Sequence, residues 1–328
     1  MKVRGTVILL LLSCMVVTSL QSCFTGVEST PRISLNDVKK QQAATVTDEQ
    51  RFLAGLAPTP PSQWRPGYRL RVDDAKIGLA LTSASGSSDS LPGRDLVFDS
   101  FSPAVSLTGT DAVEIAFHAD LPEGRTEYFY RVPVEMAALD TLDALQVPFT
   151  VDMELVARVD SLMRGRRLFI RTPMWYRADG SHEAVSGLRH VPVVIDSVVA
   201  GDSNYPLGVI FTLADEAHAR WLGTDGKKCT RMVYMTVGKS RAATRNFDLL
   251  FSFRDPREIY PGIKDDIWDL IVRSRVKEGM TREECRLALG APTTLRRIPT
   301  YGGMRENWQY SDGVYLYFDD GYLTRFRL

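Results

Sequence analysis

From Trp64 to Gly262, apolar and polar residues alternate over short runs. In GYRLRV (67–72), Tyr68, Leu70 and Val72 fall on one side, with Arg69 and Arg71 on the other. In AVEIAF (112–117), Val113, Ile115 and Phe117 oppose Glu114 and Ala116. RRLFIRT (166–172), VPVVIDSVV (191–199), LGVIFTL (207–213), TRMVYMTV (230–237) and FDLLFSF (247–253) continue in the same manner. A period of two puts successive side chains on opposite faces of a β-strand. The Asp-Gly pairs of ADG (178–180) and TDG (224–226) suit the tight turns of antiparallel sheet. Two helical patterns interrupt, VPVEMAALDTLDAL (132–145) and VDMELVARVDSLM (151–163), the second with Leu155, Val159 and Leu162 on one face. WRPGYRLRV (64–72) and LMRGRRLFI (162–170) are faintly alike and hint at a duplicated unit. The expectation for 64–263 is a β-rich region, as small barrels or a sandwich with helical inserts.

After Lys264 the period changes. DDIWDLIVRS (265–274) carries Ile267, Leu270 and Ile271 at helical spacing, with Asp265 and Asp266 at the electropositive end. In VKEGMTREECRLALGAP (276–292), Thr281 stands as N-cap and Glu284 completes a T-x-x-E capping box, while Met280 and Cys285 form a hydrophobic staple. The helix then runs through Ala288 and Leu289 and stops at Gly290, with Pro292 just beyond. ENWQY (306–310), VYLYF (314–318) and YLTRFRL (322–328) follow, separated by Asp-Gly turns. Trp308 and Tyr310 share a face, as do Val314, Leu316 and Phe318. A three-stranded sheet alone is marginal, so the two helices must cover one face of it. The whole is expected to be α+β, ending in a helix–helix–three-stranded antiparallel module at 264–328.

Composition adds little until the N-terminus. The 328 residues, 44% of them hydrophobic, suffice for two or three cores, and 40 basic against 40 acidic residues leave no net field toward nucleic acid. At the start, Lys2 and Arg4 precede the uncharged stretch GTVILLLLSCMVVTSL (5–20), and LQSC (20–23) follows. This pattern resembles the lipobox of bacterial lipoproteins, which implies a signal peptide over 1–22, lipidation of Cys23 and attachment to a membrane. An uncleaved anchor over 5–27 is the other reading. In both, the bulk of the chain leaves the cytoplasm. Residues 23–63 read as a polar tether with a Pro-rich spacer, APTPPSQ (57–63), and room for a helical turn or two in DEQRFLAGL (48–56). Cys229 and Cys285 lie in segments assigned to different parts of the chain and are expected as two separate thiols.

The C-terminal residues Gly279, Met280, Thr281, Glu284, Leu289, Gly290, Pro292, Trp308, Tyr310, Phe318 and Gly321 together resemble the SmpA/OmlA, or BamE-like, domain of small outer-membrane lipoproteins. The match covers 264–328, about a fifth of the chain. It implies a periplasm-facing lipoprotein of the outer membrane, in contact with proteins of outer-membrane assembly or envelope integrity. The family's typical member is little more than tether and module, whereas this chain inserts some 200 residues of β-rich sequence. The helix–helix–sheet plan also resembles β-lactamase-inhibitor-type modules, which leaves a periplasmic binding or inhibitor module as the alternative.

Catalytic chemistry finds little support. VGKS (237–240) ends like a phosphate loop, but Val233 stands where that loop needs a glycine. GDSNY (201–205) begins like a nucleophile elbow without its second glycine. His118, His182, His190 and His218 form no metal-ligand spacing; His182 and His190 read as solvent-facing beside a hairpin. The pairs Asp73-Asp74, Asp265-Asp266 and Asp319-Asp320 sit where turns and helix starts want aspartate. A hydrolase with its site in the β-rich region is therefore the weaker alternative; no cofactor, metal or nucleic acid is expected. Partner contact is assigned to Tyr315 and Tyr317 on the free face of the terminal hairpin and to Tyr301 in the PTYGGM loop; Trp175 and Tyr176 beside a turn are candidates of the same kind, and packing between domains is the favoured reading of such aromatics.

Overall fold

The computed structural model describes residues 47–83, 90–105, 109–223, 229–238, 245–301 and 303–327. The expected signal peptide over 1–22, the lipidation candidate Cys23 and the expected turn at 224–226 lie outside the described residues. Helix α1 (Asp48–Gly55) leads into a first sheet made of β1 (Arg69–Val72), β2 (Leu81–Ser83), β3 (Asp95–Val105), β4 (Asp111–Leu121), β5 (Gly124–Val132) and β6 (Thr150–Asp152). Helix α2 (Met153–Met163) follows at once. A second sheet comprises β7 (Arg167–Ile170), β8 (Met174–Arg177), β9 (Ala184–Ser186), β10 (Val191–Ala200), β11 (Leu207–Leu213), β12 (Thr230–Met235) and β13 (Phe251–Ser252). Short helices α3 (Glu216–Trp221), α4 (Phe247–Leu250) and α5 (Pro256–Ile259) punctuate it. The chain ends with α6 (Asp265–Val272), α7 (Arg282–Leu289) and β14 (Thr294–Thr300), β15 (Gly303–Gln309), β16 (Tyr315–Asp319) and β17 (Tyr322–Arg327). The class is α+β, with a β-rich middle and a C-terminal antiparallel sheet.

The two middle sheets repeat one connectivity. The first runs β6-β1-β3-β4-β5-β2 and the second β13-β7-β10-β11-β12-β8-β9. In each, the last strand returns to pair with the first, and the strand after the first crosses to the far side, where it is the edge in the first sheet and is followed by β9 in the second. Registers correspond as well: Leu70 faces Leu96 and Leu168 faces Val193, and two residues later each long strand bulges, at Phe98/Ser100 and at Ile195/Ser197. The stretches WRPGYRLRV and LMRGRRLFI fall at equivalent places, each ending in a strand with the same alternating burial. Gly67 and Gly165 precede those strands at φ of 98° and 75°, a region side chains with a Cβ avoid. Among the described residues neither sheet closes into a ring.

Each sheet holds its own core. Val72, Ile77, Leu96, Ile115 and Phe117 pack in the first; Ile170, Trp175, Val193, Val209 and Phe211 pack in the second, where α2 covers one face with Leu155, Val156, Val159 and Met163. Helix α1 buries Phe52 against Phe247 and Phe253, with ring centroids 4.9 and 5.2 Å apart. Residues 48–56 of the expected tether thus belong to the second core: Phe52 and Leu56 dock this segment without a repeating apolar stripe. The pattern at 132–145 yields only a 3-10 turn, Met136–Thr141, because Val132 still belongs to β5 and Pro133 holds the residue before it extended. Trp175 is buried in the second core against Phe211, not exposed, because its strand turns the ring inward and its indole N–H donates to the Thr172 carbonyl.

The C-terminal sheet has four strands, one more than expected. The additional strand, TLRRIPT, lies at an edge and is almost wholly exposed, so it shows no alternation, and Pro299 is tolerated there because an edge leaves one row of N–H groups unpaired. Arg189 and His190, just before β10, join this module to the second sheet. Arg189 donates to Ser274 Oγ, the Arg171 carbonyl and the Leu289 carbonyl. His190 Nε2 meets the Leu287 carbonyl at 3.1 Å, so this nitrogen carries the proton. His190 is buried, contrary to its solvent-facing expectation, because α7 closes over it. Burial holds its pKa down to about 4 and that of Arg189 to about 10.

Candidate functional site

The residues of the C-terminal motif account for one another. Glu284 N–H donates to Thr281 Oγ1 at 3.2 Å, and Thr281 N–H donates to Glu284 Oε2 at 2.7 Å, closing the capping box. Met280, Cys285 and Phe318 enter one core with Trp308, whose ring centroid lies 4.6 Å from that of Phe318. Gly279, Gly290 and Gly321 all have φ between 87° and 92°. Gly321 accepts from Arg282 N–H and Leu323 accepts from Gly279 N–H, so the start of α7 is stitched to β17. Tyr310 OH donates to the Gly290 carbonyl. Leu289 and Pro292 are half-buried at the helix end. Cys229 and Cys285 are free buried thiols, and burial pushes Cys285 up to about 12, which leaves it protonated and unreactive.

One charged group in this core escaped the sequence reading. Glu306 is 2% exposed, and its carboxylate accepts from Arg282, Arg297 and the Trp308 indole N–H. Burial alone would raise its pKa, but these hydrogen bonds and the arginine charges hold it below the usual carboxylate range. Nothing in ENWQY distinguishes it from a solvated glutamate. Only the cross-strand pairing of Arg297 with Glu306 reveals the partner.

On the opposite, outer face of the sheet, the register aligns Arg296, Asn307, Tyr317 and Arg325 in one row and Thr294, Gln309, Tyr315 and Arg327 in the next. The Arg325 guanidinium lies 4.4 Å from the Tyr317 ring centroid. Arg296, Arg325 and Arg327 are exposed, while Tyr315 and Tyr317 are half-buried among them. Tyr301 is fully exposed at the β14–β15 tip. It stands about five residues beyond the Tyr317 row, roughly 15 Å along the strands, so the three tyrosines do not form one patch. Tyr176 is only half-buried, and its hydroxyl accepts from Arg245.

A concavity lies elsewhere, between the two middle sheets. It has a volume of about 650 Å³, within the range of small-molecule sites, and Trp64, Gln146, Asp152, Ser203, Tyr205 and Thr236 are among its lining residues. Asp152 caps α2: its Oδ1 accepts from the N–H groups of Glu154 and Leu155, and its other oxygen accepts from Tyr68 OH. Burial raises the pKa of both Asp152 and Tyr68. Arg158, six residues on, donates to the carbonyls of Gly55 and Ala57 and to Thr59 Oγ1, which pins the proline-rich segment as one wall. Across the cleft, the β10–β11 turn GDSNY is held by Asp202, which accepts from Asn204 and Tyr205 N–H, and by Asp73, whose Oδ2 accepts from Ser203 N–H. The elbow-like stretch thus lines this cleft through Ser203, Asn204 and Tyr205, and Val237 and Gly238 from the phosphate-loop-like stretch line it too. Lys239 and Ser240 lie outside the described residues.

Among the described residues no group of three or more His, Cys, Asp or Glu side chains is placed to hold a metal ion, and no helix is long and apolar enough to cross a membrane. His118 pairs with Asp99, and His218 with Asp215, each on its own. No family model matches the chain, and no curated protein or solved structure matches it.

Proposed function

We propose that this chain is a non-enzymatic, lipid-anchored protein of the cell envelope, held at the outer membrane through Cys23, which acts by docking an acidic surface of a partner protein on the outer face of its C-terminal sheet. The observation that carries this reading is that face: two tyrosines, Tyr315 and Tyr317, flanked by three exposed arginines, on a sheet whose inner face is filled by its own helices. Rigid aromatics beside arginine are the residue types that anchor interfaces, and unpaired positive charge selects an acidic counterpart. The charged start, uncharged run and LQSC stretch support the lipid anchor, and the resemblance of 264–328 to the SmpA/OmlA family supports a partner in outer-membrane assembly or integrity.

The test is affinity purification of the intact chain from envelopes, with identification of co-purifying proteins by mass spectrometry. Replacing Tyr315 and Tyr317 together with Ser is expected to lower partner affinity about thirtyfold, from a loss of ~2 kcal/mol, with unchanged melting. Cys23→Ala is expected to leave the membrane fraction. Retention of the same partners by the double variant, or substrate turnover by the purified chain, overturns the reading.

A further inference from the structure

In the second sheet, away from the docking face, a half-buried cation stands without an anion. Arg245, just before α4, lays its guanidinium 5.4 Å from the ring centroid of Tyr176 on β8 and 4.7 Å from that of Tyr205 in the β10–β11 turn. Its Nη2 donates to Tyr176 OH and to Met174 Sδ, a weak acceptor. Among the described residues no carboxylate comes within ion-pair distance of it, and the adjoining stretch KSRAAT (239–244) has no acidic residue to supply one. Asp202, whose charge reaches the neighbouring Tyr234, accepts from the N–H groups of Asn204 and Tyr205 instead. The two rings hold the guanidinium in place, but ring faces and a sulfur answer only part of a half-buried charge. Arg245 also lines a hollow of about 330 Å³, between β8, β12 and α4. The rest of its wall is mainly apolar, from Met174, Val233, Leu249 and Leu250. Met174 and Leu249 are exposed, so the hollow can be entered from solvent.

We infer that this hollow binds a small monocarboxylate that carries an apolar branch or ring. One guanidinium balances one negative charge, and its Nε and Nη1 meet no acceptor among the described residues. A charge-assisted hydrogen bond from Arg245 fixes the carboxylate, while Met174, Val233, Leu249 and Leu250 take the hydrocarbon part out of water. A doubly charged phosphate would find one cation and no use for that apolar wall. The volume lies at the small end of ligand sites, which suits a compact acid and leaves little room for a long chain.

The test is titration of the full chain, in detergent near neutral pH, followed by calorimetry and by amide shifts of Met174, Tyr234 and Leu249. The probes are isovalerate and phenylacetate, with 3-methylbutanol as neutral isostere, isopentylamine as cation and inorganic phosphate as an anion without an apolar part. At least one carboxylate is expected to bind and to move those amides, with the alcohol, the amine and phosphate each about tenfold weaker or more. Arg245→Met keeps an unbranched stem and removes the charge, and is expected to weaken carboxylate binding about tenfold or more. Leu249→Ser, on the exposed wall, is expected to weaken it about threefold and gives a second reading should Arg245→Met melt early. Equal or tighter binding of the alcohol, the amine or phosphate overturns the assignment. So does full affinity in both variants, or no carboxylate binding up to about 10 mM. Docking on the C-terminal sheet is decided separately, by the Tyr315 and Tyr317 variant.

Discussion

Gly93 and His190 occupy the same place in the two middle sheets. Each precedes the long strand, each has a positive φ (79° and 58°), and each donates its N–H to the last residue of the first strand, Val72 or Ile170. In the first sheet glycine adopts this conformation freely and its surroundings are open. In the second a histidine adopts it, a less common choice, and the ring is enclosed against Leu287 and Trp268 of the C-terminal module. One backbone plan therefore serves as a plain sheet corner in one copy and as a latch to another part of the molecule in the other. What differs is the burial of a single side chain.

The strongest test of the equivalence removes matched side chains. Leu70→Ala and Leu168→Ala empty corresponding positions in the two cores and are each expected to cost about 3 kcal/mol in urea denaturation. A near-neutral effect at one and a full effect at the other would show that the shared connectivity does not bring shared packing. The latch is tested by pH. The folded pKa of His190, about 4, lies below the ordinary value of 6.5, so the unfolded chain takes up a proton first as pH falls. Stability from this group is complete above about pH 6.5 and declines as pH falls toward 4, by up to about 3 kcal/mol. His190→Gln should flatten that slope between pH 6.5 and 4; an unchanged slope would place the titration elsewhere. The smallest effect is expected at the capping box, where Thr281→Ala should cost on the order of 1 kcal/mol, read as a lowered melting temperature with partner binding retained.

The C-terminal module was the most legible part because its signals are local. A cap, its Glu three residues on, the staple and the stop glycine all lie within about three helical turns, and each has its own geometric requirement. The middle sheets were legible only as alternation. The bulge at Phe98/Ser100 breaks the period within β3, and the strand it interrupts was not anticipated. Edge strand β14 offered no alternation at all, since exposure on both faces removes the constraint that creates the pattern. The cleft left still less trace: Tyr68, Asp152 and Arg158 are ordinary residues of a strand, a cap and a helix until the fold sets them together.

Residue order alone settled the α+β class, the capping box with its staple, the Trp308–Tyr310 strand and the identical alternation of the two similar stretches, because each depends on neighbours within a few positions and on burial of one face. Tertiary structure alone decided that Glu306 is buried with two arginines, that His190 is a latch where Gly93 is a turn, and that turn, cap and proline-rich segment converge on one cleft. Those outcomes rest on contacts between residues from 9 to 130 positions apart, where desolvation and charge pairing act through distances that sequence spacing does not encode.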